Sequence, residues 1–152
     1  MKLRAPLAAL CCLLCYMAAP AYAQTAFSGT IQATFWISTA TPVPSGDTIT
    51  CDLNASVFDN GASSATYVED ASVTATVSSA TAAYCVVTIP YIWTLVTQST
   101  DVVVINYTIN YTPGAGSTNL NARSTQGGAS LGSPAVPADG GSISLGPTTV
   151  RL

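Results

Sequence analysis

Hydrophobic and polar residues alternate with a period of two along most of this chain. In the stretch TAFSGTIQATFWIS (25–38), alternate positions form two sets, or parities. The apolar parity contains Phe27, Gly29, Ile31, Ala33, Phe35 and Ile37. From Ser28 onward the other parity is polar except for Trp36. Because successive side chains of a strand point to opposite faces of a sheet, this pattern predicts a strand with one buried face.

Four further stretches alternate in the same way, and they lie at 47–58, 67–77, 84–96 and 102–112. They are rich in Val, Ile, Thr and Tyr, which fit the pleated surface of a sheet. In the last stretch, SISLGPTTVRL, the apolar parity changes across Gly146-Pro147, where we expect a bulge or a bend.

The segments between these stretches have the composition of turns and loops, and no part of the chain shows helical periodicity. They read TPVPSG (41–46), DNGASS (59–64), SSATAA (78–83), TPGAGSTN (112–119) and GSPAVPADGG (132–141). This spacing predicts an all-β fold, a single immunoglobulin-like β-sandwich of about seven or eight strands. Residues 24–152 are expected to form that one domain.

The first residues have the features of a secretory signal peptide. Lys2 and Arg4 precede an apolar run that ends in Ala21-Tyr22-Ala23, a small-x-small cleavage signal. We expect residues 1–23 to be removed on export, with no membrane insertion of the mature chain. The predicted location is therefore secreted, periplasmic or cell-surface.

Removal of this segment leaves a weakly charged, acidic chain. Lys2 and Arg4 leave with it, so Arg123 and Arg151 face seven acids and the net charge is −5. Nucleic acid is excluded as a partner because its binding needs clustered Lys and Arg. We also expect no cofactor and no metal, because the chain has no His and its acids match no recognised calcium-loop spacing.

Two cysteines, Cys51 and Cys85, remain after cleavage, and both lie on the apolar parity of their strands. An even number of cysteines in an exported chain indicates a disulfide. In the chain-entropy model, a bridge closing a loop of this length stabilises the fold by roughly 4 kcal/mol.

The side chains argue against an enzyme. The absence of His and of mature Lys removes Ser–His, Cys–His and Ser–Lys catalysis. Glu69 and Asp70 are neighbours on one strand and point to opposite faces, so they cannot flank a single glycosidic bond.

The aromatic residues raise the question of a sugar-binding surface. Tyr91, Trp93, Tyr107 and Tyr111 lie on apolar parity, so we assign them to the core. Tyr84 is a further candidate for such a surface, and Trp36, which lies on the polar parity of its strand, is our candidate for ligand contact. A carbohydrate-binding module, with a glycan as ligand, is kept as an alternative to core packing.

The layout of the first half resembles that of the chaperone–usher fimbrial (pilin) subunits. The alternating stretch 25–37 is similar to the N-terminal strand that such a subunit donates to complete its neighbour. Cys51 and Cys85 fall at places similar to the disulfide of that family. The resemblance implies a fimbrial subunit whose partner strand carries five residues on one face: Phe27, Gly29, Ile31, Ala33 and Phe35.

The sequence therefore predicts a non-catalytic structural or adhesive β-sandwich protein of the bacterial cell surface. Its partners would be copies of itself or other surface proteins. A donor-strand fimbrial subunit and a carbohydrate-binding module are the two alternatives. We expect the stretch 25–37 to complete its own sandwich, because 38–47 is long enough to cross between sheets and the last stretch can close a sheet edge.

Overall fold

The computed structural model describes residues 25–59, 62–95, 101–115 and 125–152, together with the backbone but not the side chains of 125–129. It contains eight β-strands in this part of the chain. They are β1 (Thr25–Ser38), β2 (Thr48–Phe58), β3 (Tyr67–Thr74), β4 (Thr76–Ser79), β5 (Ala82–Leu95), β6 (Val102–Thr112), β7 (Thr125–Gly132) and β8 (Gly141–Arg151). The predicted signal peptide, the Asn60-Gly61 turn and residues 116–119 of a predicted loop lie outside the described residues.

The strands form two four-stranded sheets, and the predicted all-β sandwich is confirmed. The first sheet, sheet A, has the order β4-β5-β1-β8, and the second, sheet B, has the order β3-β2-β6-β7. All pairings are antiparallel except that of β1 with β8, which is parallel.

Alternation along each strand decides which side chains enter the core between the sheets. The inward positions of β1, β2, β5 and β6 are almost completely shielded from solvent, and Trp93, Phe35 and Ile31 are among the largest of these side chains. Phe35 of sheet A packs on Tyr107 of sheet B with ring centroids 4.9 Å apart. Burial of these apolar faces is the main favourable contribution to folding.

The stretch 67–77 was predicted to be one strand, and this prediction is wrong. The structure divides it at Ala75 into β3, which belongs to sheet B, and β4, which belongs to sheet A. Val73 and Val77 are 37% and 48% exposed, because the chain passes here from one sheet to the other along the side of the sandwich. The Tyr67 hydroxyl also joins the sheets by accepting the amide N–H of Thr94 at 3.2 Å.

The other boundaries follow the expected pattern more closely. A tight turn at 80–81 joins β4 to β5, as the short segment 78–83 predicted. The pairing of β1 with β8 shifts register between Ala33 and Phe35, opposite Gly146-Pro147, where a bulge was expected. In contrast, β7 (TQGGASLG) was not predicted, because glycine-rich sequence lacks the alternation that marks a strand.

A disulfide joins Cys51 of β2 to Cys85 of β5, across the core from sheet B to sheet A. Both residues are buried, at 0% and 2% exposure. The bridge lies beside Phe35, whose register partner on β5 is Cys85. A disulfide in the folded chain is compatible with an oxidising, extracellular compartment.

Asp47 connects two loops at one end of sheet B. Its carboxylate accepts the Tyr111 hydroxyl at 2.5 Å and the Gly114 amide at 2.8 Å. Gly114 is required at this point, because a Cβ there would lie 2.6 Å from the carbonyl carbon of Gly46. The bonds hold the segment after β6 against the turn that precedes β2.

Stability at alkaline pH is expected to depend on Tyr111. Burial, followed by the hydrogen bond and the charge of Asp47, raises its pKa to about 12 from 10.0. Because the raised pKa belongs to the folded state, this contribution to the free energy of unfolding is complete below pH 10 and is lost as pH rises towards 12. Burial also raises the pKa of Tyr91, so Tyr111→Phe should reduce the alkaline fall in stability without abolishing it.

Urea unfolding of wild type and Tyr111→Phe at pH values from 8 to about 12 measures this dependence. Tyr84→Phe is the control, because Tyr84 lies on the solvent face of sheet A and should keep the wild-type fall. A fall of equal size in Tyr111→Phe and wild type would show that Tyr111 is not the group responsible.

In the part of the chain that the structure describes, no helix is long and apolar enough to span a membrane.

Candidate functional site

The predicted partner strand, β1, lies at the centre of sheet A, between β5 and β8 of the same chain. Its predicted contact residues point into the core: Phe27 (8% exposed), Ile31 (0%), Ala33 (1%) and Phe35 (0%). β1 pairs with β5 along its full length, from Thr25↔Leu95 to Ser38↔Ala82. In this arrangement the chain completes its own sandwich.

Gly29, the fifth of these residues, lies where three strands approach closely. It is opposite Tyr91 of β5 on one side and Gly141 of β8 on the other. A Cβ at position 29 would lie 2.5 Å from the Tyr91 hydroxyl oxygen and closer still to the carbonyl oxygen of Gly141. Only glycine leaves room here for the Tyr91 ring, which stacks on Trp93 in the core with ring centroids 4.0 Å apart.

Both ends of β1 are held by hydrogen bonds. At the first end, Asp139 accepts the amide and the hydroxyl of Ser28 at 2.7 Å and 2.8 Å, and these bonds lower the pKa of the Asp139 carboxyl. At the second end, the amides of Thr39 and Val43 donate to the carbonyls of Thr81 and Ala80 at 3.0 Å and 2.8 Å. The segment that leaves β1 is therefore attached to the β4–β5 turn of its own chain.

Trp36, the candidate ligand contact, is 51% exposed on the outer face of sheet A. Its register partner on β5 is Tyr84, which is 38% exposed, and the two ring centroids are 5.8 Å apart at a tilt of 42°. Sequence reasoning named both residues but could not pair them, because register between distant strands is set by the fold. Tyr84 could be recognised as an outward-facing residue because it lies on the polar parity of its strand, next to the inward-facing Cys85.

The aromatic pair belongs to a row of side chains that crosses all four strands of sheet A. On β4, Thr76 is paired with Tyr84, and on β8, Thr149 is paired with Trp36. We call Thr76, Tyr84, Trp36 and Thr149 the aromatic row. The two threonines are exposed, and sequence reasoning did not single them out.

The outer face of sheet B carries a different surface, a polar depression of about 510 Å³. Its outward side chains come from β2, β3 and β6 and are Asp52, Asn54, Asp70, Ser72, Asn106 and Thr108. Asn110 donates to Asp52 at 2.8 Å, and Ser56 donates to Asn54 at 3.2 Å. The depression is lined by hydroxyl, amide and carboxylate groups without an aromatic side chain that faces outward.

The core aromatic residues are where sequence reasoning placed them. Tyr91, Trp93, Tyr107 and Tyr111 are each no more than 8% exposed, so they are unavailable to a ligand on the surface. Within the described residues, no group of three or more His, Cys, Asp or Glu side chains is placed to hold a metal ion.

No protein-family model matches this chain, and neither a curated protein nor a solved structure matches it.

Proposed function

We propose that this chain is a non-catalytic adhesive or structural protein of the bacterial cell surface, exported through the secretory route. The observation that carries the proposal is the exposed Trp36–Tyr84 pair on the two central strands of sheet A. The neighbouring side chains Phe35 and Cys85 are buried and hold the backbone of these strands in place. Large aromatic side chains on a rigid surface are typical of protein binding sites.

Two further features support an extracellular role. The Cys51–Cys85 disulfide links the two sheets, and such bonds persist mainly in oxidising compartments. The outer faces are rich in Thr, Ser and Asn, and charged residues are few, at 7% of the chain. The hydroxyl and amide groups that dominate such a surface do not change their charge with pH.

The proposal is tested in the bacterium that carries the gene. Brief treatment of intact cells with proteinase K is expected to remove the protein, while a cytoplasmic marker survives. Deletion of the gene is expected to reduce attachment of the cells to a solid surface, and expression of the wild-type chain should restore it. Recovery of the protein from the cytoplasm with both cysteines reduced would contradict the proposal.

A donor-strand fimbrial subunit is the second candidate, because a strand with a buried apolar face like that of β1 could also be supplied by another copy. β1 is the N-terminal strand of the described chain, and it fills the space between β5 and β8 with buried apolar side chains. Without it, sheet A would have a groove that could accept the same strand from another copy. The bonds from Thr39 and Val43 to the β4–β5 turn favour the strand of the same chain.

A further inference from the structure

We propose that the aromatic row of sheet A binds an acidic polysaccharide, with Trp36 and Tyr84 against the sugar rings and Arg151 facing a sugar carboxylate. This inference rests on the adhesive function proposed above and names the class of ligand.

First, the aromatic pair matches a sugar ring in its combination of apolar faces and polar edges. A pyranose presents C–H groups on its face and hydroxyl groups at its edge, so it packs on an aromatic ring while its hydroxyls bond to polar neighbours. The ring centroids of Trp36 and Tyr84 are 5.8 Å apart, and the two ring planes are tilted by 42° to each other. Both rings are large apolar surfaces with a polar tip, the combination found at wet binding sites.

The second step is the supply of hydrogen-bonding groups around the rings. Thr76 and Thr149 lie at the two ends of the row, and Thr34 is the next outward residue of β1. Beyond it, Gln32 donates to Thr88 of β5 at 3.4 Å, and both side chains are exposed. These hydroxyl and amide groups can exchange hydrogen bonds with sugar hydroxyls without the cost of burying a charge.

The third step is the local charge on this face of sheet A, which favours a carboxylate although the chain as a whole is acidic. The outward positions of the four strands of sheet A, all within the described chain, include no Asp or Glu. They include one cation, Arg151, which is two residues beyond Thr149 on the same face of β8. Arginine is suited to carboxylates because its planar guanidinium donates two parallel hydrogen bonds.

The acids of the sandwich lie elsewhere. Asp52 and Asp70 line the depression on the opposite sheet. Asp139 contacts Ser28, which lies eight residues from Trp36 along β1, roughly 27 Å at the rise of a strand. A carboxylated sugar at the aromatic row therefore meets a cation and no nearby acid of sheet A, whereas the depression on sheet B would repel it.

The experiment uses the full chain, exported with its own N-terminal segment and purified. Its tryptophan fluorescence is titrated with oligogalacturonate and, as the neutral probe, with cello-oligosaccharide of equal length. Trp36 is exposed and Trp93 is buried, so a ligand on the aromatic row changes the emission of Trp36. We expect saturable binding of oligogalacturonate that weakens with added salt, and weaker binding of the neutral probe.

Three substitutions and one control locate the site. Trp36→Ala and Tyr84→Ala are expected to weaken oligogalacturonate binding on the order of tenfold, measured by calorimetry. Arg151→Gln should weaken binding of oligogalacturonate but leave the affinity for the neutral probe unchanged. Ile92→Ala is the matched control, because Ile92 is 75% exposed on the same face of β5, eight residues from Tyr84, and its loss should change neither affinity.

Several results would overturn the inference. These are an absence of oligogalacturonate binding up to millimolar concentration, equal affinity for the two probes, or wild-type affinity in Trp36→Ala. If the wild-type chain is a dimer that binds no glycan, and Trp36→Ala makes it a monomer, the aromatic row is an interface with a second copy. Cells that need the gene for attachment but attach equally well with Trp36→Ala would leave the adhesive function standing and remove this ligand.

Discussion

The Ile31→Asp variant is expected not to fold, whereas the Gln32→Asp variant is expected to fold and remain a monomer. Ile31 is 0% exposed at the centre of β1, while Gln32 points outward from the next position. An unpaired carboxylate in the core costs several kcal/mol, which is comparable with the roughly 5–15 kcal/mol that keeps a domain folded. Circular dichroism, urea unfolding and size-exclusion chromatography of the two exported variants measure the difference.

Deletion of the whole strand tests whether β1 is supplied by the same chain or by another copy. Deletion of residues 24–38 should leave sheet A without its central strand, so the truncated chain is expected to aggregate. The full-length chain is expected to run as a monomer, because β1 is paired within its own sandwich. Two results together would contradict this expectation: denaturant-resistant ladders of the full-length chain, and rescue of the truncated chain by a 24–38 peptide. They would show that the strand is donated between copies, as in a fimbrial subunit.

Loss of the disulfide is expected to lower the free energy of unfolding by about 4 kcal/mol. The bridge closes a loop with a sequence separation of 34, and the chain-entropy model gives this value for a loop of that length. Urea unfolding of the oxidised wild type and of the Cys51→Ala/Cys85→Ala double variant measures the change.

A comparison with reduced wild type separates the cross-link from packing. Reduction keeps both sulfur atoms in the core, so its effect reports the cross-link, and the remaining difference from the double variant reports the lost side-chain volume. Thiol titration of the unfolded, unreduced protein after export should find no free thiol. Two free thiols in that sample would show that the bridge does not form in the cell.

The sequence predicted the strands whose side chains alternate, and it failed where the fold departs from alternation. β1, β2, β5 and β6 have one buried face each, so hydrophobic parity revealed them and identified Trp36 as an outward residue. β7 contains paired glycines and gave no such signal. The change of sheet at Ala75 was also missed, because parity shows which face of a strand is buried but not which sheet the strand belongs to.

The candidate site could be predicted only in part for the same reason. Trp36 and Tyr84 are 48 positions apart in the chain, and only the register of β1 on β5 makes them neighbours. Thr76, Thr149 and Arg151 join them through two further pairings, one of which is parallel. A single sequence holds no direct record of such register, whereas it does record the local preference of each residue for solvent or core.

The parallel pairing of β1 with β8 has a mechanical consequence. Because the two strands run in the same direction, Thr25 lies at one end of sheet A and Arg151 lies at the other. A force that pulls these two ends apart slides β1 along β8 and loads their hydrogen bonds in shear, together rather than one after another. The core disulfide also prevents the chain between Cys51 and Cys85 from extending. Tension between these two ends is therefore expected to load the whole set of β1–β8 hydrogen bonds before β1 separates from β8.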